Sequence, residues 1–269
     1  MCRFRLWLFL ALLFTAVVPA GAAEHPSLAQ ARVLYNAADY DGAIDAATAA
    51  LGDPASVSPA TLVTARAYLE RFRIRLDPSD LERARTALSA VRPASLMPRD
   101  YLDLLVGLGQ ALYLEEDFGA AAELFDVALS RRSSLAERDA LSLLDWWATA
   151  IDREAWRLPP DRRLGLLESV RNRMEEEVRR DPGSPPANYW LAASARAAGD
   201  LDRAWHASVA AWVRAPLRPE TAEVLRADID RFVTEALVPE RARIRPEPEV
   251  AAATAALLSD WNTLKSQWQ

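Results

Sequence analysis

The sequence predicts an all-α fold built from helical hairpins, and three observations carry that prediction. Proline clusters cut the chain into segments one or two helices long, at Pro54 and Pro59, Pro93 and Pro98, Pro159-Pro160, Pro182 with Pro185-Pro186, Pro216 and Pro219, and Pro239 with Pro246 and Pro248. Proline opens helices and disrupts their interiors, so these clusters mark boundaries. Between them apolar residues recur at three and four residues rather than at two, which is the helical period. Alanine and leucine dominate while glycine numbers only 9 in 269 residues, a composition that favours helices because straight side chains lose little rotamer freedom there. About eleven helices and no strands are expected, and a hydrophobic share of 51% is ample for a packed interior.

Residues 1–23 read as a secretion signal. Met1-Cys2-Arg3-Phe4-Arg5 is a short basic start, Leu6 to Val18 is almost unbroken apolar sequence, and Pro19-Ala20-Gly21-Ala22-Ala23 supplies the small residues of a cleavage site. Cleavage is expected near Ala22 or Ala23. The alternative, an uncleaved anchor, is disfavoured because the apolar run is shorter than the roughly 20 residues of a spanning helix. Cys2 is the only cysteine. It lies ahead of the apolar run, so the mature chain is expected to have no lipid-modified cysteine, disulfide, thiolate zinc site or cysteine nucleophile. The net charge of -6 becomes -8 once Arg3 and Arg5 are removed, which argues against a nucleic-acid partner. Lys265 is the only lysine among abundant arginine, alanine and proline, a usage that suggests a GC-rich bacterial genome.

The mature chain divides into a helical array, 24–216, and a C-terminal segment, 217–269. A first hairpin surrounds Ala38-Asp39-Tyr40-Asp41-Gly42-Ala43-Ile44, with Ala50 seven residues after Ala43. Arg71, Arg73 and Arg75 stand near a helix end, where cations complement the helix dipole; an anion site is the other reading. Ser79-Asp80-Leu81-Glu82 and Ser134-Leu135-Ala136-Glu137 both fit the S-x-x-E capping box, and Asp161 and Ser184 are candidate N-caps. Leu105, Leu108, Gly109 and Leu112 occupy one helix and Ala121, Phe125 and Ala128 the next, on either side of Glu116-Asp117-Phe118. Gly109 and Ala121 would let the two helices approach, with Phe125 filling the gap. Helices over Leu144 to Trp156 and Leu164 to Val178 follow. Glu175 and Glu176 precede Arg179 and Arg180 at i, i+4, as on a solvated face. Another hairpin carries Ala192, Gly199-Asp200-Leu201-Asp202-Arg203-Ala204 and Ala211 before Pro216. Residues 218–237 form a further helix. After Pro248 a last helix bears Leu257, Trp261, Leu264 and Trp268 as a stripe.

The pattern of bulky, small and bulky residues on one helix, then alanine, aromatic and alanine on the next, resembles the tetratricopeptide repeat. It returns around Ala43, more loosely around Ala84, then Ala121 and Ala204, at spacings of 41, 37 and 83 residues; the last leaves room for one degenerate unit. The resemblance covers roughly residues 26–216. It implies a solenoid of helical hairpins whose C-terminal helix acts as a cap over the last apolar face. It also implies that the first helix of each hairpin lines a concave groove that holds a protein or peptide. Carried over by register, the exposed inner positions are Arg32, Tyr35 and Asn36, then Gln110 and Tyr113, then Tyr189 and Arg196. Tyrosine, arginine and amides suit peptide recognition, offering amphipathic rings and many donors.

No signature of catalysis competes with this. H-E-x-x-H, G-x-S-x-G, P-loop and dinucleotide-binding patterns are missing. His25 and His206 are the only histidines, one near the new N-terminus and one in a helix, so they build neither a triad nor a metal cluster. Trp146 and Trp147 point about 100° apart on a helix, so one of them is a candidate for an exposed interaction surface. The expectation is an exported, non-enzymatic interaction scaffold of the periplasm or cell envelope, without cofactor or metal. The alternative is a ligand-binding accessory of envelope transport.

Overall fold

The computed structural model describes residues 24–246 and 249–268, so the expected signal, 1–23, lies outside the described residues. Among those residues there are thirteen α-helices, several short 3-10 turns, one π-helical turn and no strand. Packing divides the chain between Leu143 and Leu144 into two units; residues 144–216 thus share a unit with the C-terminal segment.

The first unit contains α1 (Pro26–Asn36), α2 (Tyr40–Ala50), α3 (Val57–Arg75), α4 (Pro78–Ala90), α5 (Pro98–Leu114) and α6 (Phe118–Leu129). Each odd helix pairs with its successor as a hairpin, α2 and α4 pack on the helices that follow them, and the first helices α1, α3 and α5 are neighbours in turn. The hairpins close tightly because the crossing residues are small. Ala43, Ala47, Ala50, Ala84, Ala121 and Ala128 are completely buried, and a Cβ on Gly109 would stand 2.5 Å from Cε1 of the buried Phe125. Phe125 therefore fills space that only glycine leaves open.

The same turn joins α1 to α2, α5 to α6 and, in the second unit, α9 (Pro185–Ala197) to α10 (Leu201–Arg214). In each, one residue takes a left-handed backbone: Ala38 (φ 60), Glu116 (φ 64) and Gly199 (φ 83). The next residue is aspartate, and its N–H reaches back to the carbonyl five residues earlier: Asp39 to Leu34, Asp117 to Leu112 and Asp200 to Ala195, all at 2.9–3.0 Å. The left-handed residue's own N–H bonds the carbonyl three residues back, completing a Schellman motif. The aspartate side chain then accepts from Gly42, Ala120 or Arg203 backbone N–H as the N-cap of the following helix. One short sequence, x-x-D, thus ends one helix and starts the next.

Several cap assignments differ from expectation. The N-cap of α4 is Asp77, which accepts from Ser79 N–H at 3.0 Å; Pro78 opens the helix one position before Ser79. Ser134 sits in a 3-10 turn and α7 (Glu137–Ala155) begins at Glu137, so that capping box does not form. α8 (Pro160–Arg180) starts at Pro160 and Asp161 lies inside its first turn, where a carboxylate still complements the dipole. Ser184 is the N-cap of α9 by position, without a side-chain cap bond.

α7 begins in the first unit and ends in the second, which also holds α8, α9, α10, α11 (Ala222–Phe232), α12 (Val238–Ala242) and α13 (Val250–Gln267). The helix expected over 218–237 is interrupted. Pro239 has no N–H to offer the Glu235 carbonyl, and the backbone widens into a π turn over Val233–Leu237 in which Val238 N–H bonds the Val233 carbonyl. In α13 only Trp261 of the apolar stripe is fully buried, while Trp268 is exposed. The Trp261 ring stands edge-on to Trp205 and Trp212 of α10, at 5.9 and 5.6 Å. Its Nε1 donates to Asp230 of α11 at 2.8 Å, and Lys265 pairs with the same carboxylate at 2.7 Å. The Trp268 carbonyl accepts from Trp212 Nε1 and Arg226. This is how α13 closes the apolar end of α10 and α11.

Trp146 and Trp147 are both buried, so neither supplies the exposed surface expected of one of them. The 100° between them is accommodated because α7 is covered on more than one side; the Arg173 guanidinium lies 4.3 Å over the Trp147 ring. Arg71 and Arg75 are engaged by carboxylates rather than open to an anion. Arg71 bonds the buried Asp80 at 2.8 Å and Asp41 at 2.6 Å, and Arg75 bonds Asp41 at 2.5 Å.

Candidate functional site

A recess opens on the first unit where α1, α3 and α5 stand side by side. It is lined by Arg32, Tyr35 and Asn36 of α1, Leu62, Val63 and Arg66 of α3, and Asp103 of α5. The enclosed space is about 20 Å³, room for about one water molecule.

Arg66 is the centre of the recess although only 5% exposed. Its Nη1 lies 3.2 Å from Asp103 Oδ1, and its guanidinium sits 5.0 Å over the Tyr35 ring, so a carboxylate and a π face share the work of replacing water around the charge. Its stem packs beside Gly107, where a Cβ would meet Arg66 Cγ at 3.6 Å. Arg32 forms the rim, bonding Glu24 at 2.8 Å and Asp100 at 2.9 Å. Burial raises the Tyr35 phenol above its ordinary range and pushes the Asp103 carboxyl up, against the opposing pull of Arg66. Asp139, at the start of α7, is pushed up to about 6 by burial, with Arg66 opposing and Asp103 adding to the rise.

The recess brings together three of the expected site residues, Arg32, Tyr35 and Asn36. The others fall elsewhere. Tyr35, Gln110 and Tyr189 are buried rather than solvent-facing, because long side chains on the inner faces of closely stacked hairpins meet the neighbouring helix before they meet water. Tyr113 is half-buried, its ring 5.0 Å from Phe118. Tyr189 and Arg196 belong to the second unit. There Tyr189 packs against Trp190 and Phe232, and Arg196 is held by Glu240 at 2.9 Å.

Arg66, Asp103 and Asp139 escaped the reading of the sequence, although a signal was present. Arg66 precedes Ala84 by the same 18 residues as Asp103 precedes Ala121, and Asp139 follows Asp103 after 36. One repeat position thus carries a charged residue in three successive first helices. Among the described residues no group of three or more His, Cys, Asp or Glu is placed to hold a metal ion, and none of their helices is long and apolar enough to cross a membrane.

Stacked helical hairpins with a recurrent Schellman-to-aspartate turn define a helical-hairpin repeat protein. Residues 69–136, spanning the end of α3 through α6, match the tetratricopeptide repeat family, so this stretch is similar to tetratricopeptide repeats. No curated protein and no solved structure matches it.

Proposed function

We propose that this protein is an exported, non-enzymatic interaction scaffold of the periplasm or cell envelope, holding a peptide segment of a partner against the inner face of its first unit. The observation that carries this reading is the recess at Arg32, Tyr35, Asn36, Arg66 and Asp103, assembled from three successive first helices. Tetratricopeptide repeats commonly present such a face to peptides, and the residue types fit that use. An enclosed volume of about 20 Å³ supports an extended surface contact over a pocket for a small molecule, which needs several hundred Å³. The basic start, apolar run and small-residue site of residues 1–23 support export.

The test is capture of partners from envelope extract by the mature protein and by an Asn36→Trp variant. Asn36 lines the recess and is half-buried, with its Oδ1 covered, so the indole fills the recess and blocks the face, and the melting temperature checks that the fold accepts it. A protein retained by the unmodified chain and lost with the variant, at unchanged melting temperature, supports the scaffold. Co-purification of a small molecule with no protein partner would overturn it. N-terminal sequencing of the exported protein is expected to begin at Ala23 or Glu24, and an intact Met1 refutes cleavage.

A further inference from the structure

We infer that the turn between α7 and α8 is a second docking surface, one that rests on an anionic lipid bilayer. It goes beyond the peptide face and does not depend on it. The surface lies wholly within the second unit. Four residues, Trp156 to Pro159, link α7 to α8. Trp156 is 55% exposed and Leu164, one turn into α8, is 50% exposed, with Pro159 and Pro160 also open to solvent. The tryptophan is held in place rather than merely uncovered. Arg163 donates from Nε to the Ala155 carbonyl and from Nη2 to the Leu158 carbonyl, each at 3.2 Å. Those two bonds fix its guanidinium 4.6 Å over the Trp156 ring, so one ring face is backed by a cation.

Two properties of the turn select lipid as its occupant. The first is its backbone, because leaving water costs most where backbone polar groups lack partners. Trp156, Arg157 and Leu158 donate their N–H groups to the carbonyls of Asp152, Glu154 and Ala155, and Pro159 and Pro160 have no N–H. The Ala155 and Leu158 carbonyls accept from the Arg163 side chain, and that of Pro159 from the Arg163 N–H. The turn therefore enters a headgroup layer without stranding these groups, a property that contact with a solvated peptide does not require. The second is charge. From Arg153 to Leu164 four arginines stand against two acids, Glu154 and Asp161, a local +2 in a chain whose net charge is -6. Arg153, Arg157 and Arg162 are exposed. That contrast turns this end of the second unit towards anionic headgroups, and tryptophan beside arginine is a combination that membrane–water interfaces favour. Trp268 of α13 is similarly exposed, at 51%, but the nearby Lys265 is paired with Asp230. No helix among the described residues is long and apolar enough to cross a membrane, so the contact is with the surface.

The experiment is co-sedimentation of the mature protein with vesicles of phosphatidylcholine alone, or with about one third phosphatidylglycerol. Binding is expected with the anionic vesicles only, and should fall severalfold as salt rises from about 0.05 to about 0.3 M. Trp156→Ala, and Arg153→Gln combined with Arg162→Gln, should each weaken it by about tenfold or more at unchanged circular dichroism. Trp156→Phe should retain most of it. Trp268→Ala and Asn36→Trp should bind vesicles as the unmodified protein does, the latter because the peptide face is a separate surface. Phospholipid brominated near the top of its acyl chains should quench tryptophan fluorescence, and that quenching should vanish in Trp156→Ala. Absence of binding to anionic vesicles at low salt overturns the inference, as does equal binding to both vesicles or to the unmodified protein and Trp156→Ala. A protein from envelope extract that Trp156→Ala fails to retain, with no vesicle binding, makes the turn a protein-docking surface and overturns it too.

Discussion

Exchanging glycine and alanine at the recurrent turns should move stability in opposite directions at two places in the chain. Gly199 and Ala38 hold equivalent positions, both left-handed, at φ 83 and φ 60. A Cβ on Gly199 would meet no heavy atom within 4 Å, so Gly199→Ala loses no packing and creates no clash beyond its own backbone. The left-handed conformation costs an L-residue about 1–2 kcal/mol. The alanine also narrows the unfolded ensemble and recovers roughly 0.4–1 kcal/mol. The net expectation is destabilisation by about 1 kcal/mol. Ala38→Gly runs the same terms in reverse at an exposed turn and should stabilise by about 0.5–1 kcal/mol. Urea unfolding separates the two readouts. Eight of the nine tryptophans lie at or beyond Trp146, so tryptophan fluorescence follows the unit containing Gly199, while far-ultraviolet circular dichroism includes the unit containing Ala38. The midpoint should fall for Gly199→Ala and rise for Ala38→Gly with unchanged slope. A neutral or stabilising Gly199→Ala, or two shifts of the same sign, would refute the argument that these turns depend on a left-handed residue.

Three further outcomes are expected. Gly109→Ala drives a methyl group into the Phe125 ring and should cost about 1–3 kcal/mol in urea unfolding; no change would mean that α5 and α6 separate freely. Trp261→Ala removes a fully buried ring, its edge contacts with Trp205 and Trp212 and its bond to Asp230, and should cost about 3–5 kcal/mol. Protease digestion should then cut at α13 first, and uniform digestion along the chain would contradict a capping role. Asp139 has its folded pKa raised from 3.8 to about 6. Its favourable contribution is therefore present below the unfolded value and lost as pH rises through about 6, with Arg66, Asp103, Arg99 and Arg138 as its charged surroundings. Asp139→Asn should accordingly raise the melting temperature relative to the unmodified protein more at about pH 7.5 than at about pH 4.5; an equal difference at both would show that Asp139 titrates normally.

The sequence by itself determined that the chain is helical, where its hairpins turn and which small residues lie at the crossings. These features are local. Proline breaks, the helical period, and Ala43, Ala84, Ala121 and Ala204 each act within a few turns of chain, and Asp39, Asp117 and Asp200 satisfy backbone N–H groups three residues ahead. Asp77 in place of Ser79 shows the limit even here, because the two residues flanking Pro78 can both cap and only the position of Pro78 chooses between them. Only the tertiary structure decided which polar residues face water. Tyr35, Gln110 and Tyr189 have sequence signatures of exposed inner positions, yet neighbouring helices cover them, and the same stacking buries both Trp146 and Trp147. The recess centred on Arg66 depends on α1, α3 and α5 bringing together residues 35, 66 and 103, far apart in the chain. Periodicity assigns a residue to a face of its own helix, but burial and pairing depend on what the next hairpin places opposite it. That is a property of side-chain volume and charge across the interface, not of spacing along the chain.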